Sequence, residues 1–222
     1  MSRIYVSINA YQKMIDALCE EGHLIAFVRP CKAVSEPISM HPDICIIKLG
    51  TSLKSPVFAG NTSLLGPEYP NDVLYNAVVT ERFFICNTKT VSKDLVKAVN
   101  TLYPDIRTIH VNQGYTKCNI VVIDEKHFIT EDDGIFKALD AEEGAECLLI
   151  EGGQVLLPGY QYGFIGGASG RIGNDIWFNG DIEAHSDWPE IRAFIEGCGL
   201  GIRSFPGVKL TDIGSIIEEY TG

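Results

Sequence analysis

Polar residues able to do chemistry sit at the edges of several apolar runs in this chain. His41-Pro42-Asp43 precedes Ile44-Cys45-Ile46-Ile47, Asn76 precedes Ala77-Val78-Val79, and Lys117-Cys118-Asn119 precedes Ile120-Val121-Val122-Ile123. Ser169 and Arg171 close a glycine-rich stretch, and Thr211, Asp212 and Ser215 surround Ile213, Ile216 and Ile217. A thiol, an imidazole, an ammonium and several carboxylates are the residue types of nucleophilic and acid–base catalysis. Edges that served the core alone would carry apolar or small residues.

Each of these residues also has an ordinary structural reading. Cys118 can be a small buried hydrophobe, like the other six cysteines. His41-Pro42-Asp43 can be a turn with Asp43 as its acceptor. Asp212 can cap a helical turn over 213–220. Lys117 can be solvated, and His23, His110, His127 and His185 read as packing or surface residues. Gly167-Ala168-Ser169-Gly170-Arg171-Ile172-Gly173 has no Lys-Ser/Thr end and leads into a β-type run, so it is not a phosphate loop. A tight backbone approach explains it better. Glu131-Asp132-Asp133 lacks calcium-loop spacing and suits a helix N-terminus.

The elements that must position these residues recur along the chain. Helices are expected over 11–21, 92–102, 130–142 and 187–196, with caps read at Asn9/Gln12, Ser92, Thr130/Asp133 and Asp187/Glu190. Each is followed by a breaker, Gly22, Pro104, Gly144 or Gly197, and then by a strand at 23–28, 106–111, 146–150 or 201–205. Further strands are expected at 44–47, 77–79, 83–86, 120–123, 127–129, 176–178 and within 213–217. The repeating unit is strand, strand, helix, strand, with a period near 41 residues from Ile106 to Cys147. A unit without its helix fits around 50–69, where Gly60-Asn61 and Gly66-Pro67 are loop chemistry. A fifth unit starts at Asp212 with too few residues to finish, unless the N-terminal helix and strand complete it. The expected fold is therefore α/β, one domain over 1–222, a five-module pseudo-symmetric ring closed by the N- and C-terminal segments. An ordinary mixed α/β sandwich with evenly spaced strands is the alternative.

Composition narrows the partners. The chain has 222 residues, 45% hydrophobic and 21% charged, with a net charge of −11. That acidity, without a Lys/Arg-rich run, disfavours nucleic acid and anionic membranes and leaves a small molecule or a protein as partner. No apolar run reaches the length of a membrane span, and the first residues do not read as a signal peptide. The seven cysteines include no Cys-x-x-Cys pair and read as reduced cytoplasmic thiols, with neither a disulfide framework nor structural zinc. No sequence feature calls for a cofactor or a metal, and none excludes a homo-oligomer.

A ring of five such modules resembles the pentein superfamily, the α/β propeller of the guanidine-modifying enzymes. His41-Pro42-Asp43 is similar to their His-x-Asp motif, and Gln113-Gly114-Tyr115-Thr116-Lys117-Cys118-Asn119 resembles the Gly-rich stretch before their nucleophilic Cys. The segments 163–170 and 210–215 look like an uncharacterised bacterial branch of that superfamily, and the resemblance covers nearly the whole chain. It implies a Cys nucleophile, a His that moves protons, an acid that orients the His, and carboxylates that pair with a cationic substrate. Carried onto this chain, these are Cys118, His41, Asp212 and Asp43, with Asn76, Lys117, Asn119 and Ser169 as further ligand contacts. The chain departs from the superfamily in the mid-chain position of Cys118 and in Lys117 directly before it.

In a ring the starts of the innermost strands converge on one axis. His41, Asp43, Asn76, Lys117, Cys118 and Asp212 are thus expected to line one pocket. Two carboxylates and an ammonium there suit a guanidino acid or an amino acid. The implied activity is hydrolysis or group transfer at amidine or guanidine C–N bonds. The alternatives are a non-catalytic ligand-binding module and a protein-interaction ring of the same fold.

Overall fold

A computed structural model describes residues 1–222. It contains β1 (Ser2–Val6), α1 (Gln12–Glu20), β2 (Leu24–Phe27), β3 (Ile46–Lys48), β4 (Val57–Ala59), β5 (Val78–Val79), β6 (Phe83–Cys86), α2 (Lys93–Leu102) and β7 (Arg107–His110). There follow β8 (Ile120–Val122), β9 (His127–Thr130), α3 (Asp133–Asp140), β10 (Glu146–Leu149), β11 (Ser169–Ile172), β12 (Asp175–Phe178), α4 (Trp188–Gly197), β13 (Gly201–Arg203) and β14 (Ile217–Tyr220). The strands form five small sheets, ordered β14-β1-β2, β3-β4, β5-β6-β7, β8-β9-β10 and β11-β12-β13.

Every three-stranded sheet has the same build. Its first two strands run antiparallel, and the second pairs in parallel with the third across a helix. A parallel pair needs such a crossover, and an amphipathic helix supplies it while covering apolar strand residues. The β3-β4 sheet has two strands and no helix, in the region where the sequence predicts a unit without one. β1 pairs with β14, joining Ile4 to Glu218 and Tyr5 to Ile217, so the two ends of the chain share one sheet.

The helices lie in wedges between sheets. Leu95 and Val99 of α2 pack in one cluster with Ile47 of β3 and Phe84 of β6. Ile135 and Leu139 of α3 meet Ile85 of β6 and Phe128 of β9. Ile191 and Ile195 of α4 meet Ile129 of β9 and Ile176 of β12. Met14 and Leu18 of α1 meet Ile4 of β1 and Trp177 of β12. Each helix thus fills the space between its own sheet and a neighbouring one, and each such fully buried side chain contributes roughly 1.5–3 kcal/mol. Burial of these side chains is what sets the order of the sheets.

The first strands of the five sheets are neighbours. β11 touches β8 and β14, β14 touches β3, and β3 touches β5. Gly170 of β11 lies so close to the Ile216 carbonyl that a Cβ would overlap it, which is the tight approach expected from the glycine-rich stretch.

Some details differ from the sequence reading. Tyr11, not Asn9, is the N-cap of α1, and its N–H donates to Asn179 Oδ1 at 2.8 Å rather than to a capping box. Asp132 caps α3 by accepting from the Ile135 N–H at 2.8 Å, two residues beyond the expected Thr130. No helical turn forms over 213–220, because this segment supplies β14. β1, β4 and β11 were not foreseen. β4 is short and half-exposed, and β11 contains glycine, so neither carries a strong strand pattern. No helix is long and apolar enough to cross a membrane.

Candidate active site around Cys118

Cys118 lies in the turn that leads into β8 and is 3% exposed. Asn76, just ahead of β5, holds this turn: its Oδ1 accepts from the N–H groups of Lys117 at 2.7 Å and Cys118 at 3.2 Å. The same amide donates through Nδ2 to the Cys118 sulfur at 3.2 Å. The thiol itself donates to Asp43 Oδ2 at 3.1 Å.

Asp43 sits in a 3-10 turn, Pro42–Ile44, which Pro42 starts and His41 caps in extended conformation. Its N–H donates to the Gly214 carbonyl at 3.1 Å, which ties this turn to the segment before β14. Gly214 has φ +74°, and a Cβ there would overlap His41, so glycine is needed at this crossing. Ser215 follows, also left-handed at φ +73° and fully buried, and its hydroxyl donates to Asp43 Oδ2 at 2.8 Å. Asp43 Oδ1 is buried without a partner, an acceptor that a ligand donor or water can satisfy.

Asp212 accepts from the N–H of Phe164 at 3.0 Å and of Gly214 at 2.9 Å. Its Oδ1 lies 3.7 Å from His41 Nδ1, an ion-pair distance between two buried side chains. His41, Cys118 and Asp212 line one cavity of about 140 Å³. Tyr115, Tyr160, Tyr162 and Phe164 form much of its remaining wall. No Lys or Arg lines this cavity.

Lys117 and Ser169 do not join it. Both line a second cavity of about 80 Å³, whose walls come from the first strands of all five sheets, β3, β5, β8, β11 and β14. A buried ammonium goes where oxygens can satisfy it. Lys117 Nζ donates to Ser215 Oγ at 3.0 Å, the Gly166 carbonyl at 3.1 Å and the Ile120 carbonyl at 3.4 Å. Asn119 belongs to neither cavity. Its Nδ2 donates to the Tyr115 carbonyl at 2.9 Å, and its own carbonyl accepts from Thr130 Oγ1 at 2.9 Å, so it is scaffold. Ser169 Oγ reaches only the Gly166 carbonyl, at 3.4 Å. The expectation of one pocket is therefore corrected. His41, Cys118 and Asp212 share it, Asp43 and Asn76 bond to the thiol behind it, and Lys117, Ser169 and Asn119 lie elsewhere.

Burial sets the electrostatics. It pushes the Cys118 thiol well above its ordinary pKa, and the charges of Asp43 and Asp212 push it further. Burial likewise raises Asp212; the His41 charge opposes this and Asp43 adds to it. Burial lowers Lys117, against the pull of Asp43 and the other acids. At rest the sulfur is a protonated thiol facing carboxylates, and the site favours positive charge brought from outside.

The aromatic wall escaped the sequence reading. Its signal was present in Tyr160, Tyr162 and Phe164, three aromatic residues within five positions.

A family described as one of unknown function, DUF6873, matches residues 51–217. No curated protein and no solved structure matches the chain.

Proposed function

The chain belongs to the DUF6873 family, whose function is unknown, and we propose that this member is a five-module pentein ring that hydrolyses a C–N bond of an amidine or guanidine through Cys118. The ring is supported by the second cavity, which strands of all five sheets line, and by the helices wedged between successive sheets. The β1-β14 pairing, which joins the two chain ends in one sheet, supports its closure.

The observation that carries the chemistry is the meeting of Cys118, His41 and Asp212 on one cavity. A cationic carbon entering there finds aromatic faces, each offering roughly 0.5–2 kcal/mol to a cation, and the Asp212 carboxylate in the wall, with Asp43 behind the sulfur. Its positive charge beside the sulfur lowers the thiol pKa. The thiol proton passes to Asp43 as sulfur adds to the carbon and the C–S bond forms. His41, held by Asp212, protonates the nitrogen that leaves, and the C–N bond breaks. Water then adds to the same carbon and gives its proton to His41. The C–S bond breaks and sulfur takes back its proton. The net reaction converts amidinium and water into an amide or urea and an ammonium.

With Lys117 turned to the other cavity, no Lys or Arg waits for a substrate carboxylate, and His41 is already paired with Asp212. The substrate we propose is therefore a guanidine or amidine without an acidic group, rather than a guanidino acid or amino acid. Release of ammonia or urea across a panel of guanidino compounds tests this. Turnover that vanishes in Cys118→Ser and His41→Asn, and favours substrates without a carboxylate, supports it. Silence over the whole panel counts against it.

A binding module is the second reading, favoured by the thiol that burial and two carboxylates hold protonated. It predicts stabilisation by a cationic amine, about 2.7 kcal/mol at a hundredfold excess over Kd, with no product.

A further inference from the structure

We propose that Asp124, His127 and Cys198 form a zinc-binding site on the outside of the molecule, separate from the Cys118 cavity. One donor atom from each residue lies within 4.8 Å of the others. The three come from fixed positions on different elements. Asp124 stands in the turn between β8 and β9, where its Oδ1 accepts from the N–H groups of Lys126 and His127, both at 2.9 Å. Its Oδ2 is hydrogen-bonded to His127 Nδ1 at 2.7 Å, and a metal ion shared by these two atoms takes the place of that proton. His127 opens β9, and its ring meets Phe194 of α4 edge-on at a centroid distance of 5.9 Å. Cys198 closes α4, its N–H held by the carbonyls of Ile195 and Phe194.

The donor set selects the metal. Calcium and magnesium take oxygen ligands, whereas carboxylate, imidazole and thiolate together suit zinc. A carboxylate and a thiolate also neutralise a divalent cation. The other side of the imidazole fits the role: His127 Nε2 is 3.5 Å from Glu146 Oε1, and a ligating histidine commonly donates its second N–H to a carboxylate. Zinc there, with water as its fourth ligand, staples α4 to the β8-β9 hairpin. The sequence reading missed it because Asp124-x-x-His127 and Cys198 are far apart in the chain and follow no metal-ligand spacing.

Calorimetric titration of the full chain with Zn²⁺ alone tests the site, with Co²⁺ as an optical probe of a thiolate ligand. Saturable binding of one ion is expected in the wild type and in Cys118→Ser. Glu146→Gln weakens it by about tenfold, and His127→Ala or Cys198→Ser weakens it further, while circular dichroism confirms that each variant is folded. The thiolate-to-cobalt band is lost in Cys198→Ser and kept in Cys118→Ser. Absence of saturable Zn²⁺ binding in the wild type overturns the proposal. So does binding that survives His127→Ala and Cys198→Ser, or that disappears in Cys118→Ser.

Discussion

The Cys118 thiol donates to Asp43 Oδ2 across 3.1 Å, although the two residues are 75 positions apart in the chain. Asp43 Oδ2 also receives the Ser215 hydroxyl, which in turn accepts from Lys117. The path Cys118–Asp43–Ser215–Lys117 links the two cavities through three buried side chains and the half-buried Lys117. It places a proton acceptor against the sulfur and keeps the nearest ammonium on the far side of that acceptor. Such a thiol is quiet at rest, and in the proposed chemistry an incoming cation activates it.

Asp43→Asn removes one of the charges that hold the thiol protonated. Its effect is read from the rate of Cys118 alkylation against pH. The midpoint moves down, because the thiolate loses a like-charged neighbour. A midpoint that stays or rises contradicts the electrostatic reading.

Glu131 gives the protein a defined pH dependence. Burial, with the charges of Asp212 and Asp132, raises its pKa from 4.5 to about 7. Between those values the folded state binds more proton than the unfolded one, so stability falls as pH rises through the window. At about 1.4 kcal/mol per unit the fall is bounded by about 3.5 kcal/mol. Urea midpoints measured across this range should decline in the wild type and decline less in Glu131→Gln.

Ile4 of β1 is fully buried in the cluster shared with α1, β12 and the segment before β14. Ile4→Ala should cost about 2–5 kcal/mol. If the sheets close into the proposed ring, this loss lowers one cooperative transition for the whole chain. Two separated transitions in denaturant would mean that the sheets do not form one unit.

The periodic part of the fold was legible in the sequence. α2 and β7 fall where apolar spacing, Ser92 and Pro104 predict them, because local signals and tertiary packing agree there. The missing helix near 50–69 and the joining of the chain ends were legible from arithmetic on the repeat. Side-chain direction was not. Lys117 and Cys118 are adjacent in a turn, and only the positions of Gly166, Ser215 and Asn76 decide which cavity each one meets. Asn119 and Ser169 look like ligand contacts at a strand edge, yet backbone carbonyls nearby absorb their hydrogen bonds. Partners that arrive from other sheets leave no mark on the local sequence.

The central claim is that Cys118 reacts with cationic carbon electrophiles because its cavity recruits them. Peptide mapping after brief exposure to 2-chloroacetamidine, set against the neutral 2-chloroacetamide, measures this thiol by thiol. Cys118 is buried and Cys19 is exposed, so accessibility alone favours Cys19. The account predicts that the cationic reagent labels Cys118 first, that a cationic amine protects it, and that the neutral reagent prefers Cys19. Chloroacetamidine labelling that follows exposure, with Cys19 modified first and Cys118 left unmodified, would contradict it.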